Sequence, residues 1–377
     1  MKPLFAALLR KPARLAVTAA AALAVLGGSA ALAAPAALAA PASAATPASS
    51  SASAKFTWHP LKLSHGWKSF TEKGFLTGAP SWALHNGVVY LRGAIRQPDA
   101  DGGIYFGHLP ASERPTSDLY LQVSTCKDQP GTLFIGSDGS LAAYAGNASL
   151  YTLLDGISFP TAAIKSHPLA LTNDWASAQP RYQTGDPVYS ISKGVVYLSG
   201  SLYSDTPESP LAFTLPAAAR PRGENYLSVY NYASSTGWIE IQPDGNVFLG
   251  GQSASQYTSL AGISFPAPGT KWHTFSLRDG WKPETPDYGT AKPSYAVING
   301  VAYFEGTMHQ PAGSGSVFAS LPASVRAHDL LAIKVFTTTG NIGTVSVVGN
   351  EALIASLPAA SSQQNTALDG VAYPLSS

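Results

Sequence analysis

The sequence predicts an all-β protein made of three tandem antiparallel β-sandwich, jelly-roll-like domains. Three observations carry that expectation: a unit of about 106 residues recurs three times, apolar residues within a unit alternate with period two, and 35 Gly and 29 Pro supply many turns. Charged residues are 12% and aromatics 10% of the chain, a balance that can bury a core and does not suit a disordered polymer.

The repeat aligns with few gaps. The first copy reads Asn86-Gly87-Val88-Val89-Tyr90, Leu109-Pro110-Ala111 with Arg114-Pro115, Ser137-Asp138-Gly139, and Leu154-Asp155-Gly156-Ile157-Ser158-Phe159-Pro160. The second reads Lys193-Gly194-Val195-Val196-Tyr197, Leu215-Pro216-Ala217 with Arg220-Pro221, Pro243-Asp244-Gly245, and Leu260-Ala261-Gly262-Ile263-Ser264-Phe265-Pro266. A more diverged third copy has Asn299-Gly300-Val301-Ala302-Tyr303, Leu321-Pro322-Ala323 with Arg326, and Leu368-Asp369-Gly370-Val371-Ala372-Tyr373-Pro374. Such a period exceeds the ~20–50 residues of solenoid repeats, so each copy is a whole small domain. The expected boundaries are 55–166, 167–272 and 273–377.

Ahead of the repeats, Lys2, Arg10, Lys11 and Arg14 precede an Ala/Leu-rich apolar run with small-residue cleavage sites, the pattern of an export signal over residues 1–40. An Ala/Pro/Ser tether follows at 41–54. Removing residues 1–54 takes away four of the 23 basic residues and none of the 22 acidic ones, leaving a formal charge of −3. That balance gives nucleic acid or an anionic membrane nothing to bind.

Within a unit, Ser81–Leu84 and Val88–Leu91 read as strands joined by Asn86-Gly87, the dipeptide suited to a tight hairpin. Trp238-Ile239-Glu240-Ile241 before Pro243-Asp244-Gly245 repeats the signal, with Ile239 and Ile241 on one face and Trp238 on the other. Seven or eight short strands per unit result, with at most one helical turn at Leu-Pro-Ala-x-x-Arg-Pro.

Reactive motifs are missing. No Gly-x-Ser-x-Gly, His-Glu-x-x-His, Gly-x-Gly-x-x-Gly or Gly-Lys pair occurs, the single Cys126 fits a small buried strand residue, and the eight histidines read as unrelated between copies. Asp138 and Asp244 fit turns, and Asp155 and Asp369 meet Ala261 in the second copy, which argues against a shared general acid. No enzyme activity, cofactor or metal is therefore expected. Trp67, Trp175 and Trp281 fit core caps. Candidate binding residues are Trp238, expected to be exposed because it stands opposite the Ile239 face, with Tyr203, Tyr232 and Trp272 near loops. The repeated Arg114, Arg220 and Arg326 fit either loop-carbonyl bonding or an anion or sugar contact.

The string Asn-Gly-Val-Val-Tyr-Leu-x-Gly, then Leu-Pro-Ala-x-x-Arg-Pro, a Pro-Asp-Gly hairpin and Leu-Asp-Gly-Ile-Ser-Phe resembles the C-terminal head unit of phage tail-fibre and baseplate proteins. The resemblance spans residues 55–377. It implies a β-sandwich that trimerises and engages a host surface, often its saccharides. Two departures stand out: an export signal and three copies in one chain. Tethered copies can pack as an intramolecular pseudo-trimer, since fusion removes most of the entropy lost in association; three separate beads are the competing arrangement. The expected function is thus a secreted, non-enzymatic recognition protein binding cell-surface or extracellular glycan through loops 97–103, 204–210 and 310–316. The alternative is an extracellular structural or assembly protein whose partner is another protein.

Overall fold

The structure is a computed structural model that describes residues 55–71, 77–99, 102–206, 209–284, 289–311, 315–327, 329–337, 342–349, 351–355 and 365–375. The expected signal and tether lie outside the described residues, as do parts of all three expected binding loops.

Each repeat folds into two antiparallel sheets. In the first, a four-stranded sheet orders His59–Pro60, Ser81–His85, Val88–Arg92 and Ser158–Pro160. A seven-stranded sheet orders Lys68–Ser69, Ala94–Arg96, Thr152–Leu153, Leu119–Thr125, Gln129–Ile135, Ser140–Tyr144 and Tyr105–His108. The second repeat copies this arrangement from Ser166–Pro168 to Ile263–Pro266. In the third the larger sheet divides into three- and four-stranded parts, linked by the Thr337–Thr366 bridge. The count per repeat exceeds the seven or eight expected because several strands are only two residues long, below what alternation can signal.

Local chemistry explains the elements. Asn86-Gly87, Lys193-Gly194 and Asn299-Gly300 all take positive φ at both positions, the geometry that closes a two-residue hairpin. Pro110, Pro216 and Pro322 each open a single 3₁₀ turn, which ends at the arginine of the repeat. Further 3₁₀ turns lie at Cys126–Asp128 and Tyr232–Ser234, and among the described residues the one α-helix is Gln179–Tyr182. Alternation then sends Leu121, Val123, Leu133 and Ile135 into the first core, with counterparts in the second and third. Trp67, Trp175 and Trp281 cap the three cores, buried except for an indole N–H that donates to the carbonyl of Gly103, Ser209 or Gly315.

Sandwich faces not used for these cores pack against one another in a cycle. Tyr90, Tyr197 and Tyr303, the tyrosines of the repeated hairpin, meet in one buried cluster with Val88, Val195 and Val301. Burial pushes all three phenols up. Farther along, Gly156 faces Ile333, Gly262 faces Leu121 and Gly370 faces Leu227, each glycine at φ near +80° with a Cβ excluded by the neighbouring repeat.

The buried carboxylates clamp the same seams. Asp155 accepts from Gly93 N–H of its own repeat (2.8 Å) and Ala332 N–H of the third (3.2 Å). Asp369 accepts from Gly306 N–H (3.0 Å) and from Tyr226 N–H of the second (3.0 Å). Ala261 has no such acceptor.

Two outcomes follow from these seams. The chain should run as a monomer in size-exclusion chromatography with light scattering, and a homotrimer near three times the chain mass would overturn the closed cycle. Burial raises both Asp155 and Asp369 from 3.8 to about 7. The folded state therefore holds their protons up to about pH 7 while the unfolded chain releases them near pH 4. Their stabilising share is full below pH 4 and lost as pH rises through 7. Urea midpoints across pH 4 to 8 should show a shallower decline for Asp369→Asn than for the parent.

Candidate functional site

Along the seam between the first and second repeats, the seven-stranded sheet of the first lays one row of side chains in register: Tyr120, Phe134, Ala142 and Tyr105. Period two places these on the face opposite the core residues Leu121 and Leu133. The adjacent row is Gln122, Thr132 and Tyr144. Equivalent rows elsewhere, Tyr226-Glu240-Phe248-Leu211 in the second repeat, lack this run of rings.

The second repeat brings its own tyrosines to the seam. Tyr230 stacks on Tyr120 at 5.5 Å between ring centroids, and Tyr257 stands edge-on to both Tyr120 and Tyr230. The short helix Gln179–Tyr182, with Pro180 in its first turn, turns Tyr182 onto Tyr257 at 5.1 Å and within 6.2 Å of Tyr232. Beside it, the Arg181 guanidinium lies 3.7 Å above the Tyr203 ring and grips Asp205 with two bonds of 2.9 and 3.2 Å. Tyr105 and Tyr232 remain 48% and 43% exposed at the outer edge, so rings continue from the seam to solvent.

The electrostatics suit recognition. Burial pushes the Tyr257 phenol up to about 12 and raises Tyr120, Tyr144 and Tyr230 as well, keeping them neutral hydroxyls that donate and accept. Arg181 is held further toward the cation by its hydrogen bonds to Asp205. Among the described residues no three His, Cys, Asp or Glu side chains are grouped so as to hold a metal ion.

Of the residues singled out from sequence, Tyr203 and Tyr232 meet here, joined through Arg181 and Tyr182. Trp238 does not. Its ring is half-buried over Gly250, its cross-strand partner, on the face whose counterparts Thr132 and Thr344 bond to the next repeat through Ser234 and Asp128. The expected exposure fails because the face opposite Ile239 is turned toward a neighbouring repeat. Trp272 lies at the next seam, 5.4 Å from the Arg222 guanidinium and against the cluster of Tyr90, Tyr197 and Tyr303. Arg114 and Arg220 donate from Nε to the carbonyls of Leu109 and Leu215, and Arg326 is exposed at the end of its 3₁₀ turn.

Two further readings need correction. Cys126 is not a buried strand residue: it is partly exposed and opens the turn Cys126–Asp128, where the chain leaves the sheet with Lys127 and Asp128 at positive φ. Nor are the histidines unrelated, since His59, His167 and His273 occupy the same edge strand of each repeat, stacked on Trp82, Tyr189 and Tyr295 at 4.5, 5.3 and 5.3 Å. Sequence reasoning also missed Tyr182 and Arg181, whose only signal was an unrepeated Gln-Pro-Arg-Tyr.

No protein-family model, no curated protein and no solved structure matches this chain.

Because Arg181 and Asp205 are both largely exposed, their ion pair contributes little to folding. Arg181→Ala should leave the melting temperature unchanged while loosening the Tyr203 ring, readable as faster solvent exchange of the Tyr203 hydroxyl.

Proposed function

We propose that this is a secreted, non-enzymatic recognition protein whose ligand is a cell-surface or extracellular glycan, bound along the seam between the first and second repeats. The observation that carries this reading is the run of tyrosines from the buried seam through Tyr257 and Tyr182 to exposed Tyr232, edged by the Arg181–Asp205 fork. Sugar rings present flat apolar faces and a rim of hydroxyls. Tyrosine offers the matching pair, a ring to cover the face and a phenol to bond the rim. The arginine and aspartate supply directed donors and acceptors that select among hydroxyl arrangements. The basic and apolar N-terminal run supports export, and the turn motifs shared with phage fibre heads support engagement of a host-like surface by the same kind of scaffold.

A second reading has its own support. Leu84, Ile191 and Val297 occupy equivalent strand positions in the three repeats and are 39%, 39% and 44% exposed, a threefold apolar mark that suits a protein partner in an extracellular assembly.

A glycan array with the purified chain separates the two. Under the first reading, hits appear, and Tyr182→Ala and Tyr232→Ala each weaken them at least about tenfold, the ~1.4 kcal/mol or more expected for a lost stacking ring, with melting unchanged. An empty array together with no binding to whole cells would falsify it. Loss of partner capture from culture supernatant on Leu84→Asp and Ile191→Asp would favour the second.

A further inference from the structure

The strands Leu119–Thr125, Asn225–Asn231 and Leu331–Phe336 lie at the centre of the cycle, and one position of each, 106 residues apart, carries a polar side chain: Gln122, Ser228 and Lys334. All three line a pocket of about 60 Å³ between the repeats, room for a halide ion with a water or two. Apolar strand residues such as Leu121, Leu227 and Ile333 form much of the remaining wall.

The polar groups in this cavity are mainly donors left over. Lys334 is partly buried, and its Nζ makes one hydrogen bond, 2.7 Å to the Ser228 carbonyl. An ammonium has three N–H groups, and no other acceptor stands within bonding distance of it among the described residues. Ser228 Oγ is buried without a partner. Gln122 donates Nε2 to Thr236 Oγ1 at 2.7 Å and leaves Oε1 unpaired. Turning that amide over lets Oε1 accept from the Thr236 hydroxyl and aims Nε2 at the free space, at no cost to Thr236. Two carboxylates, Asp155 and Asp369, also line the cavity, yet each is occupied by two backbone N–H groups and neither perturbs Lys334, whose lowering to about 7 comes from burial alone.

A partly buried ammonium without a counter-charge is destabilising, and so is each buried donor without an acceptor. One small anion relieves all of these together.

We propose that the central cavity is a binding site for a single halide-sized anion, held by the Lys334 ammonium, the Ser228 hydroxyl and the Gln122 amide, one donor from each repeat. The site is separate from the tyrosine seam and depends on no reading of its ligand.

Crystals of the full chain soaked in bromide should give an anomalous peak within hydrogen-bonding distance of Lys334 Nζ. A map with bromide at the surface and none in this cavity overturns the proposal. In solution, thermal melting of the parent should rise with the logarithm of sodium chloride concentration relative to sodium gluconate at equal ionic strength, as linkage requires. Lys334→Met, which keeps the side-chain volume, should abolish that difference, and an unchanged chloride response in this variant overturns the proposal. If Lys334→Met does not fold, Ser228→Ala serves in its place with a weakened response, and the bromide map of the parent decides independently.

Discussion

Three tyrosines buried together hold the molecule in its arrangement. Each comes from the same place in a repeated hairpin, and each is shielded from solvent by residues of the other two repeats. A single repeat would leave its own tyrosine exposed. The hairpin that reads from sequence as local punctuation is therefore also the element that makes association obligatory, and the packing of Val88, Val195 and Val301 around it supplies the apolar area.

The seams are not copies of one another. Between the first and third repeats Arg92 lies 3.9 Å from Asp329. Between the third and second the charges are reversed, with Glu305 accepting from Arg222, and burial raises that glutamate to about 7. Between the second and first, the Ser117 hydroxyl donates to the Thr184 carbonyl, with no ion pair among the described residues. A homotrimer cannot differentiate its interfaces in this way. Fusion in one chain lets each seam drift separately, so one seam gathered tyrosines, another an ion pair and the centre a lysine facing a serine and a glutamine.

That divergence decides what was legible in the sequence. Features recurring between copies were readable: the hairpins closed by Gly87, Gly194 and Gly300, the capping tryptophans, the Pro-started turns, and in the first two copies the Asp138 and Asp244 turns, whose carboxylates bond the backbone two residues on. Features assembled between copies were not. Gln122, Ser228 and Lys334 share a position and no chemistry, so no motif search joins them. Trp238 was misjudged because alternation distinguishes the core face from the other face and says nothing about a neighbour covering the latter. The histidine row escaped for a simpler reason: His59 and His167 are 108 positions apart, whereas the densest stretch of the repeat runs at 106.

The clamp from Asp155 to Ala332 N–H spans 177 residues, and the contact between Ser124 and Thr344 spans 220. A nascent chain emerging from its N-terminus thus completes two sandwiches before the element that seals the first one exists. Folding rates fall as such distant pairings accumulate. During that interval the open flank of the first repeat accepts a third repeat from a sister chain as readily as its own, because the surfaces are identical. Exchange of that kind grows with chain concentration, whereas the tethered third repeat closes on its own chain at a fixed effective concentration.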